Sequence, residues 1–109
     1  MTDPLAFSTL RAANEVRQQE WDPSDAITMA FRGNELAGEV GACNVIKKLE
    51  RERLGLRGSR ASIAMLAEEL ADVLICADLI AMQAGIDLGA AVRAKFNATS
   101  SRYKLATKL

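Results

Sequence analysis

The sequence contains no histidine. That absence removes the base of a Ser-His-Asp triad, the usual proton shuttle near neutral pH and the His-containing zinc sets, so any chemistry must rest on carboxylates, cysteines and cations. The only cysteines, Cys43 and Cys76, lack CxxC spacing and read as reduced, small residues of a packed interior. Long apolar runs are also missing, since no stretch approaches the roughly 18 uncharged residues that a membrane span requires. The opening MTDPLAFSTL has neither the basic nor the apolar block of a secretory signal, so a cytoplasmic chain is expected. Nor is there an excess of charge: 14 basic and 14 acidic side chains argue against electrostatic capture of nucleic acid or an anionic membrane. What remains is a chain of 109 residues, half of them hydrophobic, which suits one soluble domain and is too apolar for disorder.

Prolines are scarce and informative. Pro4 and Pro23 each follow an Asp, the arrangement of a helix start with Asp near the cap and Pro in the first turn. The first helix is predicted from Pro4 to about Glu20, with Leu5, Leu10, Ala13 and Val16 as its apolar positions. A second periodic run extends from about Ser24 to Leu54, as one long helix or two broken ones, and Gly55 suits its C-cap. Gly58, Ser59 and Ser62 mark a loop, after which IAMLAEELADVLICADLIAMQAG continues without a breaker to Gly85. A last helix follows Asp87, a candidate N-cap, from about Leu88 to about Ser101. No alternating pattern competes, so the expected fold is all-α: a four-helix, oligomeric bundle filling a single domain over residues 1–109.

Wheels at about 100° per residue place Met65, Glu69, Asp72 and Cys76 in one wedge, beside an apolar stripe of Leu66, Leu70, Val73, Ala77 and Ile80. Ile75 and Leu79 face away from that stripe, so this helix must be covered on two fronts, which implies a partner subunit. Asp78 points elsewhere, as a separate polar contact. In the second run Arg32, Glu35, Glu39, Ala42, Cys43 and Ile46 share one side. Two acidic pairs are thus expected to face inward, and clustered carboxylates need a cation or raised pKa values to coexist. Hard oxygen donors select magnesium, or manganese, which takes further ligands from water and substrate phosphates. The competing expectation is that these acids are solvated or pair with Arg32, Lys48 or Arg93. Gly33, Gly38 and Gly41 each cost a helix roughly 1 kcal/mol relative to Ala, which suggests close helix approach or room for a ligand.

The runs FRGNELAGEVGACNVIKKLERERLG and LAEELADVLICADLIAMQAGIDLGAAVRAKFNATSSRY, over roughly residues 31 to 103, resemble the MazG-like nucleoside triphosphate pyrophosphatases. In that family an ExxE pair on one helix and an ExxD pair on the next hold magnesium. Glu69 and Asp72 match ExxD, and Glu39 falls on the first Glu of ExxE, but Ala42 stands where the second is expected. Glu35, one turn before Glu39, could supply the fourth carboxylate, Glu68 lies four residues from Asp72 as an alternative partner, and whichever of Glu35 and Glu68 is unligated is the candidate proton acceptor. The resemblance further implies that Lys48, Lys95, Asn97 and Arg102 hold the phosphates.

The function so implied is magnesium-dependent cleavage of a nucleoside triphosphate to the monophosphate and pyrophosphate, by a homodimer or homotetramer, with Glu39, Glu69 and Asp72 as the catalytic carboxylates. Trp21, Phe31 and Tyr103 are available to stack on a base, or else to fill the core. The other expectation is a non-catalytic helical dimerisation or nucleotide-sensing relative, motivated by Ala42.

Overall fold

The computed structural model describes residues 4–38, 41–55 and 62–109. They form five helices: α1 (Phe7–Trp21), α2 (Met29–Gly38), α3 (Gly41–Arg53), α4 (Ile63–Ala84) and α5 (Leu88–Arg102), with no strand among the described residues. The all-helical expectation holds; among the described residues there are five helices where a four-helix bundle was expected, the second periodic run being described as α2 and α3 on either side of residues 39–40, which lie outside the described residues. α4 is the hub: α1, α2 and α3 all pack against it, and α5 packs against α1.

Local signals explain the last two helices. Ser62 caps α4 by accepting from the amide of Met65 at 3.1 Å, and Gly85 closes it in the left-handed region at φ 70°. The Ile86 amide reaches back to the Ala81 carbonyl at 2.7 Å, and Asp87 starts α5 by accepting from Ala90 at 3.0 Å. Gly55, also left-handed at φ 73°, follows α3 as expected. Gly58 and Ser59 lie outside the described residues.

The two prolines do not start helices. α1 begins at Phe7 with Ala6 as an N-cap that offers no side-chain bond, and α2 begins at Met29, well past Pro23. The signal for α2 is Thr28, whose hydroxyl accepts from the Phe31 amide at 3.1 Å. Asp22 instead ends α1 and folds the turn after it: its carboxylate accepts from Ala26 at 2.9 Å, Ile27 at 3.0 Å and the Gln18 amide at 2.9 Å. The Ile27 amide, then the Ala26 amide, hold the Asp22 pKa below its ordinary 3.8 against the opposing effect of burial, with smaller help from Gln18 and Arg32. A group whose folded pKa is depressed stabilises the fold above its unfolded pKa and loses that contribution as pH falls through the folded value. Urea midpoints should therefore show Asp22→Asn less stable than the parent at pH 7, with the gap closing below pH 3.8. A pH-independent gap would contradict this account.

The interior is more polar than the apolar pattern predicts. Among the described residues Val45, Leu79 and Ala81 are the buried hydrophobic ones, whereas Asn14, Gln18, Asp22, Arg32, Asp78 and Ser100 are buried polar ones. In α1 the expectation is reversed, with Asn14 and Gln18 inside and Val16 63% exposed. On α4, Leu79 is buried while Leu70 of the expected core stripe is 50% exposed. Cys43 is exposed and Cys76 half-buried, so neither is a core residue, although neither forms a disulfide. Gly33 meets open space rather than a close neighbour, because a Cβ there would touch nothing within 4 Å. Trp21, Phe31 and Tyr103 are all exposed, at 53%, 53% and 63%.

The molecule is also open. Its radius of gyration is 17.2 Å, where a compact chain of this length has about 13 Å. Its accessible surface is 8237 Å², about 2,300 Å² more than a folded monomer of its mass exposes.

Candidate functional site

The α4 sequence LAEELADV places Glu69 and Asp72 one turn apart, between the Ser62 cap and the buried segment around Asp78. Glu69 is half-buried and Asp72 exposed, as is Glu68. Glu35 is exposed on α2, a helix that packs directly on α4. Glu39 lies outside the described residues. Among the described residues no group of three or more acidic or thiol side chains forms a metal cage, so Glu35 does not join Glu69 and Asp72 in one cluster. The inward face expected of the second run is corrected too: Arg32 is buried, but Glu35, Cys43 and Ile46 are exposed, because α4 covers only part of the expected face.

Among the described residues the acids are also in no ion pair. The ion pairs among the described residues are Arg11–Asp78 and Arg53–Glu50, and neither involves Glu35, Glu68, Glu69 or Asp72. Arg32, one of the cations that could have neutralised them, bonds the neutral Gln18 instead. Two unpaired carboxylates at i and i+3 are hard, adjacent oxygen donors, and such a set fits magnesium and not a soft metal.

The expected phosphate ligands are spread apart. Lys48 is exposed on α3, whereas Lys95, Asn97 and Arg102 belong to α5. Asn97 is already engaged by the polar tail: its side chain accepts from the Leu109 amide at 2.7 Å and donates to the Leu109 carbonyl at 3.1 Å. Lys108 adds bonds to the Asn97 carbonyl at 3.2 Å and to Ser101 Oγ at 2.5 Å. Lys95 borders an apolar groove with Val92, Phe96 and Leu105, and the Arg102 guanidinium lies 5.5 Å from the Tyr103 ring centre.

The chain matches no protein-family model, no curated protein and no solved structure.

A second polar centre lies inside the molecule around Asp78, the separate polar contact expected of that residue, with partners on α1 that the apolar pattern did not indicate. Asp78, fully buried, accepts from Arg11 Nε at 3.1 Å and from Asn14 Nδ2 at 2.8 Å, while Arg11 Nη2 also donates to the Ile86 carbonyl at 2.6 Å. Further along α1, Gln18 accepts from Arg32 Nη2 at 2.5 Å and from Trp21 Nε1 at 3.3 Å. The available signal was the spacing of Arg11, Asn14 and Gln18, which lines up on one helical face. No helix among the described residues is long and apolar enough to cross a membrane.

Proposed function

We propose that this chain is a magnesium-dependent nucleoside triphosphate pyrophosphohydrolase that works as a homo-oligomer. The observation that carries the reading is the pair Glu69 and Asp72, adjacent on α4 and in no ion pair among the described residues, within a stretch that resembles the MazG-like family. An adjacent pair of carboxylates left unengaged by cations is available to a hard metal ion, and the solvated alternative predicts no response of the protein to magnesium. Glu69 and Asp72 would hold the ion, with Glu39 as a third donor. A magnesium ion held by these carboxylates would supply charge neutralisation for the phosphates and a lowered pKa for an attacking water. Glu68, on the same helix and in no ion pair among the described residues, would accept the water's proton as the water oxygen bonds to the α-phosphorus, the bond from that phosphorus to the bridging oxygen breaks and pyrophosphate leaves. Lys48, on the neighbouring α3, and Lys95 and Arg102 of α5 would attract the triphosphate. The test is a screen of nucleoside triphosphates for pyrophosphate release with magnesium.

The open shape supports the oligomer. Excess surface of about 2,300 Å² per chain is the scale of an obligate interface, and Ile46, Leu70 and Leu74 on α3 and α4 are each at least half exposed. Covering Leu74, 53% exposed, would contribute about 1.5 kcal/mol or more per copy. Light scattering at micromolar concentration should therefore give a multiple of 11.8 kDa, and Leu74→Glu should shift the population toward the single-chain mass. A monodisperse parent at 11.8 kDa would refute it. The non-catalytic reading, favoured by Ala42 in place of a ligand, predicts the same assembly with no pyrophosphate release from any nucleotide.

A further inference from the structure

Over residues 90–102 α5 is exposed, with Ser100 buried and Asn97 half-buried as the exceptions, and the tail over residues 103–109 is exposed throughout. A helix of 15 residues is marginal in water by itself, because helices are stabilised chiefly by packing an apolar face. α5 has such a face. Val92, Phe96, Thr99 and Tyr103 recur at spacings of four, three and four, so they share one side of the helix. Val92, Phe96 and Thr99 line an apolar groove of about 560 Å³, together with Leu105 of the tail.

α4 carries a matching face. Ile63, Ala67, Leu70 and Leu74 repeat at the same spacings and are all exposed, whereas Leu66, Val73, Ala77 and Ile80 are half-buried. Apolar residues that alternate every four and three positions are the pattern by which two helices interlock side by side, each side chain entering a hollow of the facing helix. Ala67, with Ala64 and Ala71 beside it, leaves such a hollow for a ring the size of Phe96.

Charge selects the pairing. α4 carries Glu68, Glu69, Asp72 and Asp78 and no basic residue, whereas α5 carries Arg93, Lys95 and Arg102 and no acidic one. Lys104 and Lys108 extend the positive run through the tail, and all 14 acidic residues of the chain lie before Leu88. Lys95 and Arg102 flank the α5 stripe on one side and Arg93 on the other, so α5 against α5 sets cations against cations. α4 against α4 likewise brings acids together, whereas α4 against α5 joins opposite signs. The geometry points to the α5 groove as the docking site for α4 of a second copy of this chain, with Ile63, Ala67, Leu70 and Leu74 seated on Val92, Phe96, Thr99 and Tyr103. This rests on the homo-oligomer reading and names the two faces that meet. Made in both directions across a two-fold axis, the contact closes the assembly into a pair.

Cross-linking separates the pairings, and it needs no nucleotide turnover. In the full chain with Cys43→Ser and Cys76→Ala, Leu70→Cys and Thr99→Cys are made separately, both at exposed positions, and treated with a short bismaleimide, each alone and after mixing. The mixture should give a two-chain product joined between residues 70 and 99, at least tenfold more abundant than the product of either chain alone. Phe96→Asp should raise the dissociation constant of the assembly at least tenfold, since burying a ring is worth more than that factor. Ala94→Asp, on the opposite side of α5, should leave it unchanged. An associated parent whose mixture yields no such product overturns the pairing and leaves the homo-oligomer standing, and a product from Leu70→Cys alone or Thr99→Cys alone then identifies like faces as the contact. A parent that stays at 11.8 kDa at micromolar concentration overturns both readings.

Discussion

Asp72→Asn should abolish magnesium-dependent pyrophosphate release, lowering the rate on the order of a hundredfold or more, while leaving the metal-free protein no less stable than the parent. The two halves of this expectation come from different observations. Loss of rate follows from removing one of two adjacent anionic oxygen donors that the proposed site offers to magnesium. Retained stability follows from the surroundings of Asp72, which is exposed and makes no ion pair. Removing its charge also relieves repulsion from Glu68 and Glu69, so a small gain is consistent with the same physics. In the parent, magnesium should raise the melting temperature, because a ligand specific to the folded state stabilises it by about 2.7 kcal/mol at a hundredfold excess over Kd. In Asp72→Asn that rise should vanish. If the variant melts lower than the parent without metal and keeps its response to magnesium, Asp72 is a structural group and the metal reading fails.

Legibility in the sequence followed the strength of the local signal. α4 and α5 were readable to within a residue or two, because Ser62, Gly85 and Asp87 determine the chain direction by bonds within a few residues of themselves. The start of α2 was not, since Asp22 and Pro23 resemble an N-terminal cap although Asp22 closes the helix before it. The same carboxylate chemistry serves both ends of a turn, and only the partners Ala26 and Ile27 tell them apart. Burial was the weakest inference. Apolar periodicity assumes a hydrophobic interior, but α1 turns Asn14 and Gln18 inward to meet Asp78 and Arg32, leaving Val16 outside. In an open chain whose large hydrophobic residues are largely exposed, single-chain burial does not reveal which faces a partner would cover. Of the candidate site, the pairing of Glu69 with Asp72 on one helix was legible from their spacing. The engagement of Asn97 by the tail depends on a contact between positions 97 and 109, which helical periodicity does not encode.

Asp78→Ala should have the opposite profile to Asp72→Asn, although both acids lie on α4. Its carboxylate is fully buried and receives Arg11 and Asn14 from α1, so truncation leaves two donors without their acceptor. Breaking a buried pair in this way costs about 3–5 kcal/mol, because the remaining charge stays desolvated. The Arg11 side chain is 21% exposed and also donates to the Ile86 carbonyl, which gives the orphaned guanidinium some relief. The expected loss is therefore at the lower end, about 3 kcal/mol, or a fall in Tm of roughly 12 °C or more. Removing both charges together should cost less than the sum, since Arg11→Met with Asp78→Leu leaves no unpaired ion, and the coupling measures the pair directly. Magnesium should stabilise Asp78→Ala by the same amount as the parent, because the Arg11–Asp78 contact is formed with α1 and uses none of the proposed ligands. Thermal melts of the single and double variants with and without magnesium check all of these outcomes. An Asp78→Ala variant as stable as the parent would show that this buried pair does not hold α1 to α4.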